Sequence, residues 1–321
     1  MSAPRLAREL VPAPTSIERA ERTSSGRTRM SRNNSGRLIS AVVCFLGALT
    51  ACRAAGPAGR TVDVGGHRLY CELHGRGTPA VVIDVGAGES FKDWEAVVAA
   101  LSPETAVVVY DRAGYGRSQA GPLPRDAKAE AADLEALLRK AEIPGPYVLV
   151  GHSLGGLNVQ RFAHDFPADV AGLVLLDPPP RGWFAGEAFP GLKRMFREAA
   201  EDLAAQAEAA KKSSDGDERM MASYLEAVAS EHAAMFGTTA SQVREAAAFG
   251  DLPLIVVAAG RPNPAFGEEA GAFQAYWIEE NRALSRLSRK GEFILAENSG
   301  HRLHRDAPDT VLRAIRKLAG R

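Results

Sequence analysis

Cysteine is scarce in this chain: Cys44, Cys52 and Cys71 are the three among 321 residues. Three thiols cannot build a dense disulfide framework, and no Cys/His spacing of the zinc-binding kind accompanies them. A surplus of charge is missing as well. Basic and acidic side chains each number 39, so the formal net charge is +0 and offers no electrostatic argument for a nucleic-acid partner. A glycine-rich phosphate loop and an internal repeat are also absent. What is there is 45% hydrophobic residues with 24% charged ones, an ordinary globular composition long enough for one large domain or two small ones. Disorder throughout is excluded.

Long apolar runs are rare, with one exception near the start. Residues 1–37 carry eight Arg and three acids, and the stretch 38–51, "LISAVVCFLGALTA", carries no charge. Arg32 and Arg37 form a basic segment ahead of an apolar core from Leu38 to Leu49, the order and length of a signal peptide. The run falls short of the ~20 residues a spanning helix needs, so an uncleaved anchor is the lesser alternative. Met30 would leave a short basic segment before the apolar run and is a candidate for the true start. "LTAC" (Leu49, Thr50, Ala51, Cys52) resembles the lipobox of bacterial lipoproteins. That resemblance implies a lipidated Cys52 as first mature residue and an extracytoplasmic, membrane-anchored protein. From Cys52 onward there are 31 basic and 36 acidic residues, so lipid rather than surface charge would hold the chain to a membrane. Cys71 would then be the one remaining thiol.

After a linker at 52–60, "TVDVGGHRLYCELHG" reads as two strands joined at Gly65-Gly66. Buried-type runs then alternate with helical patterns: strands at 80–85, 105–111, 147–152 and 170–177, helices at 90–101, 126–143 and 154–166. Continuous Val/Ile/Leu runs separated by helices indicate parallel strands covered on both faces, hence an α/β fold. From 178 to 249 the strand signal disappears and two helical stretches carry apolar residues at i, i+3, i+4 spacing, with 211–218 as the loop between them. Strands return at 252–260 and 292–297, with helices around 271–289 and 307–319. The expected division is a core of 61–177 and 250–321 with a helical lid at 178–249.

"YVLVGHSLGGL" (147–157) carries the chemistry. Gly-x-Ser-x-Gly between a buried strand and a helix is a nucleophile elbow, whose tight turn excludes side chains at Gly151 and Gly155 and projects the Ser153 hydroxyl at the carboxyl edge of the sheet. Ser153 would also sit at a helix N-terminus, where free N–H groups favour developing negative charge.

With "DVGAGES" (84–90), "YDRAGYGRS" (110–118) and "SGHRLHRDAPDTV" (299–311), the chain resembles the α/β-hydrolase superfamily over 61–178 and 250–319. The resemblance implies a mostly parallel eight-stranded sheet with helices on both faces and a variable lid. A serine hydroxyl needs a base, and the base an orienting carboxylate. The superfamily places its base in the loop holding His301; His304 is the competitor, read as a loop anchor, and His152 as structural or pocket-lining. His67, His74, His164 and His232 read as surface or packing residues. Many relatives put the acid after the seventh strand, where this chain has Asn263 in "GRPN". Others take it from the end of strand six, which implies Asp177, with Glu268, Glu269 and Glu297 as fallbacks. The oxyanion donors implied are the backbone amides of Leu154 and Ala87. Asp111 and Arg112 are expected to support the site, Trp94 to pack. Phe184, Phe189, Met195, Phe196, Met221, Tyr224, Met235 and Phe236 give the lid its apolar bulk, some of it available to line a pocket.

The expected activity is hydrolysis of a small or medium apolar carboxylic ester through an acyl-enzyme, without a metal or organic cofactor. A serine rather than Asp at the elbow argues against epoxide hydrolase and dehalogenase chemistry. Amide, peptide, thioester and carbon–carbon bond cleavage and perhydrolysis stay open, as does a non-catalytic binding module on the same scaffold.

Overall fold

The computed structural model describes residues 58–246 and 248–321. The leader at 1–51, the alternative start at Met30, the lipidation site Cys52 and most of the linker at 52–60 lie outside them. Eight strands form one sheet: β1 (Ala58–Asp63), β2 (Arg68–His74), β3 (Val81–Asp84), β4 (Val107–Tyr110), β5 (Tyr147–His152), β6 (Val170–Leu176), β7 (Leu254–Ala259) and β8 (Gly291–Ala296). Their spatial order is β1-β2-β4-β3-β5-β6-β7-β8. β2 runs antiparallel to β1 and β4, and the other pairs are parallel. This is the α/β-hydrolase fold. β1 begins three residues before Thr61, because edge-strand pairing such as Ala58 with Leu73 needs backbone partners and little apolar content.

The central strands alternate with period two, and both faces are covered. Val82, Val108, Leu149, Leu173 and Val256 face one layer, made by α2 (Ala127–Lys140) and α3 (Leu154–Asp165) with Leu134, Leu137 and Phe162. Val81, Ile83, Val109, Val150 and Val257 face the other, with Val97 and Leu101 of α1 (Glu95–Leu101) and Val311 and Ile315 of the C-terminal helix Pro308–Ala319. Strands buried on both sides carry no polar face, which is why they read as unbroken Val/Ile/Leu runs. Cys71 is a free thiol buried among them.

Between β6 and β7 the chain forms three helices: α4 (Pro190–Lys212), α5 (Gly216–Met235) and α6 (Thr238–Glu245). The third was not expected from the sequence, being a single short stretch with few apolar residues. Leu192, Met235 and Val243 of this layer pack with Leu154 and Leu157 of α3 and with Phe273 and Trp277 of α7 (Ala270–Ser285). That arrangement roofs the carboxyl edge of the sheet, where β3, β5, β6 and β8 deliver their loops.

Candidate active site

β5 stops at His152 and α3 starts at Leu154, so Ser153 makes the whole turn, with φ 50 and ψ −121. Such a left-handed conformation strains a non-glycine residue and survives only where its surroundings enforce it. Here the neighbouring glycines enforce it. A Cβ on Gly155 would lie 2.2 Å from the Asp84 carbonyl oxygen, and one on Gly151 would lie 2.5 Å from the Gly155 carbonyl oxygen. α3 can therefore press against β3 with its N-terminus beneath the serine. Ser153 is half-buried and lines a cavity.

Asp177 follows β6 directly, again with a positive φ, of 47. Its Oδ1 accepts the Ala259 N–H at 3.0 Å, and its Oδ2 lies 2.7 Å from His301 Nδ1. The carboxylate is nearly sealed from solvent, whereas the imidazole it holds is 40% exposed and reaches the cavity. His301, Asp177 and Ser153 thus border one space. Asn263 also borders it, but its side chain accepts the Ala265 N–H at 3.0 Å and caps a 3-10 turn. An amide suits that capping duty, and the carboxylate in contact with His301 is that of Asp177. Glu268 and Glu297 are exposed to solvent.

Ala87 and Leu154 line the same cavity. Leu154 is the first residue of α3, and a helix does not use its first N–H groups internally. Around Ala87 the neighbouring amides are spent: Gly86 N–H donates to Glu89 Oε2 at 2.9 Å and Gly88 N–H to Tyr115 Oη at 3.0 Å. Arg112, 1% exposed, fixes the loop from behind by donating to the carbonyls of Val85 and Gly86 at 2.7 and 3.0 Å. The same guanidinium pairs with Asp84 at 2.7 Å and with Glu231 of α5 at 2.8 Å. Arg112 is therefore a support, as the superfamily resemblance implies, and it also ties the helical roof to the loop after β3. Tyr224 of α5 adds a bond from its hydroxyl to the Gly88 carbonyl, at 2.9 Å.

His152 does not line the cavity. Its ring is fully buried, with Nδ1 2.9 Å from Glu89 Oε2 and Nε2 2.9 Å from the His301 carbonyl oxygen. Burial opposes a charge on this imidazole, but the Glu89 carboxylate and the two hydrogen bonds outweigh it and raise the pKa. Glu89 is likewise buried, yet its acidity is strengthened by His152 and by the Gly86 N–H. His304 is buried too, stacked on Trp94 at 4.4 Å, and its pKa falls to about 3 through burial and the neighbouring charge on His152. Glu89, His152 and His304 have donor atoms within 4.8 Å of one another, the raw material of a metal site. Here Glu89 and His152 pair with each other, and the second nitrogen of His152 is held by the His301 carbonyl.

The cavity measures about 550 Å³. Its apolar wall is built from Trp183, Phe184, Phe196, Phe266, Phe273 and Trp277, with Met235 alongside. Phe184, Phe196 and Met235 were among the lid residues singled out in the sequence; Trp183, Phe273 and Trp277 were not. Phe273 and Trp277 stand four apart on one helical face, a spacing that reads as core. His232, read as a packing residue, also borders the cavity. Its Nδ1 is 2.8 Å from the Val228 carbonyl of its own helix, and burial lowers its pKa.

Residues 73–314 match the alpha/beta hydrolase family. The Bacillus subtilis protein YqjL is 27% identical over 260 residues, which cover 80% of this chain and 90% of that protein. The pimeloyl-[acyl-carrier protein] methyl ester esterase of Proteus mirabilis is 33% identical over 128 residues, 40% of this chain and 46% of that enzyme. Among solved structures, a thermophilic esterase from Thermogutta terrifontis superposes with a TM-score of 0.60 at 24% identity, over 83% of this chain and 100% of that one. At that identity the superposition speaks for the fold alone.

Proposed function

The chain belongs to the alpha/beta hydrolase family, and from that premise we propose that it is a serine hydrolase cleaving carboxylic esters with a small or medium apolar arm. The observation that carries this reading is the pairing of His301 with the buried Asp177 at 2.7 Å on the wall of the cavity that Ser153 also lines. In the proposed cycle His301 takes the Ser153 proton as the hydroxyl attacks the ester carbonyl. Asp177 holds the imidazole in the tautomer that leaves Nε2 free to accept, and stabilises the imidazolium that forms. The tetrahedral oxyanion is received by the Ala87 and Leu154 amides. His301 then returns the proton to the departing alcohol, and water, deprotonated by the same base, releases the acid from the acyl-serine.

The size and aromatic wall of the cavity support an apolar acyl or aryl arm, within the usual 300–1,000 Å³ range of small-molecule sites. A fluorophosphonate probe tests the nucleophile. Labelling of the wild type that Ser153→Ala abolishes is expected, and an unlabelled wild type would return the chain to the binding-module reading. An ester series of graded acyl length, run beside matched amides and peptides, tests the leaving group. The extracytoplasmic location and lipid anchor belong to the same proposal. They are supported by the basic and apolar segments ahead of Cys52. Detergent-phase partitioning should be lost in Cys52→Ser, and its survival would remove the anchor.

A further inference from the structure

We propose that Glu89 and His152 act as a buried, charged clasp that holds the loop of the base and the oxyanion loop in fixed relation, which makes His152 a positioning residue for His301. The inference rests on the hydrolase reading above. Three hydrogen bonds of 2.9 Å form the clasp: Gly86 N–H to Glu89 Oε2, His152 Nδ1 to the same oxygen, and His152 Nε2 to the His301 carbonyl. They join the loop after β3, the end of β5 and the loop after β8, with partners 63 and 149 residues apart in the chain.

Both groups facing the His152 nitrogens are acceptors. A neutral imidazole carries a single N–H and could satisfy just one of them; the imidazolium satisfies both. The charges around the ring agree with this assignment. Glu89 touches it from the oxyanion loop, and the Asp177 carboxylate acts on it from the end of β6. His304 faces it edge-on at 5.3 Å between ring centres, with neither of its own nitrogens partnered among the described residues. Arg302 and Arg305 add positive charge around His304. His304 is thereby kept neutral and His152 is the charged member of the pair of rings.

His301 is then gripped twice. Asp177 holds its ring at Nδ1, and His152 holds its main chain, on a half-exposed loop residue that has no strand or helix of its own to fix it. Because the carbonyl and the Cα–Cβ bond share one backbone unit, releasing the carbonyl lets the ring drift relative to Ser153. A misplacement near 1 Å costs about 100-fold in rate.

Two isosteric variants separate this role from plain packing. The amide nitrogen of Gln reaches about as far as the imidazole Nε2, that of Asn about as far as Nδ1. His152→Gln can therefore still donate to the His301 carbonyl, whereas His152→Asn can donate only to Glu89. Expected is a fall of about 100-fold in kcat for His152→Asn with KM little changed, and recovery of at least tenfold of that loss in His152→Gln. Equal kcat in the two variants, whether high or low, overturns the positioning role. Ring ¹⁵N shifts of histidine in the wild-type protein give a second readout that needs no variant to fold. A doubly protonated, buried imidazole at neutral pH is expected, and a neutral His152 overturns the clasp. Fluorophosphonate labelling of the wild type keeps the two levels apart: its absence defeats the hydrolase reading, while labelling with equal variants defeats this inference alone.

Discussion

Replacing Asp177 with Asn keeps the shape of the side chain and removes its charge. Its Oδ1 accepts from Ala259 N–H at 3.0 Å, and an amide oxygen can keep that bond. The new NH₂ group then faces His301 Nδ1, at the position where the 2.7 Å contact now lies. Two donors cannot share it, so the ring moves its proton to Nε2 and offers a lone pair at Nδ1. An Nε2 that already carries hydrogen cannot take the Ser153 proton. In a serine triad this tautomer error costs about 10⁴ in kcat, or about 5 kcal/mol in barrier height. Stability should move far less. Asn tolerates the left-handed backbone at φ 47 as well as Asp does, and at most one hydrogen bond is weakened, about 1 kcal/mol. Melting temperature should therefore stay within about 5 °C of wild type. Steady-state hydrolysis of a p-nitrophenyl ester, read beside a thermal melt and a Glu268→Gln/Glu269→Gln control, decides the matter. If Asp177→Asn keeps more than a tenth of wild-type kcat, or if the control alone loses orders of magnitude, the acid has been assigned to the wrong residue.

Three further outcomes follow from the same geometry. In Gly155→Ala the added Cβ would sit 2.2 Å from the Asp84 carbonyl oxygen, so α3 must shift off β3. A loss of about 1–3 kcal/mol in stability, with slower fluorophosphonate labelling, is expected, and a fully active variant of unchanged stability would contradict the close approach. Arg112→Met leaves Asp84 and Glu231, each at most 1% exposed, as buried unpaired acids. This should cost about 3–5 kcal/mol and lower the melting temperature by about 10 °C, and an unchanged melt would mean the ion pairs contribute little. Glu89→Gln should show a pH-dependent penalty. His152 has its pKa raised in the folded state and Glu89 has its pKa lowered, so their contribution is fully present between their ordinary values of 4.5 and 6.5. It is lost as pH rises through the elevated His152 pKa, so the gap in melting temperature should be widest near pH 5.5 and narrow in alkali. A constant gap across pH would count against a charged pair.

What was legible in the sequence was local. The strands of β3 to β7 announce themselves because burial on both faces leaves no polar position, and the elbow because its steric demand falls on Gly151 and Gly155, within two residues of Ser153. Asp177 and His301 are different. Nothing at 177 distinguishes it from any acid at a strand end until the fold brings it 2.7 Å from a residue 124 positions later, and it was reached through superfamily resemblance rather than pattern. The start of β1 was missed because an edge strand needs only backbone partners, so Ala58, Gly59 and Arg60 look like linker. α6 was missed because eight residues with a narrow apolar stripe carry too little periodicity to stand out.

The cavity and the clasp were hidden for a shared physical reason. An aromatic residue that lines a pocket obeys the same helical spacing as one that fills a core, so Phe273 and Trp277 could serve either end, and only the space left between α7 and the roof distinguishes them. Buried polar groups are less visible still, because their partners are chosen by three-dimensional proximity and leave no period behind. Glu89 stands one residue beyond a glycine-rich turn and His152 sits inside the elbow motif, each with a sufficient local explanation. Yet the low-dielectric interior makes an unpaired ion at either place so costly that the two must be read together. The same reasoning applies to Arg112, whose neighbours in the chain give no hint of Glu231, 119 residues away. In this protein the apolar pattern specifies the sheet, and the long-range ionic contacts specify how the loops above it are registered against one another. Neutralising Glu89 should therefore spare the fold more readily than it spares the geometry around Ser153, whereas neutralising Arg112 should cost both.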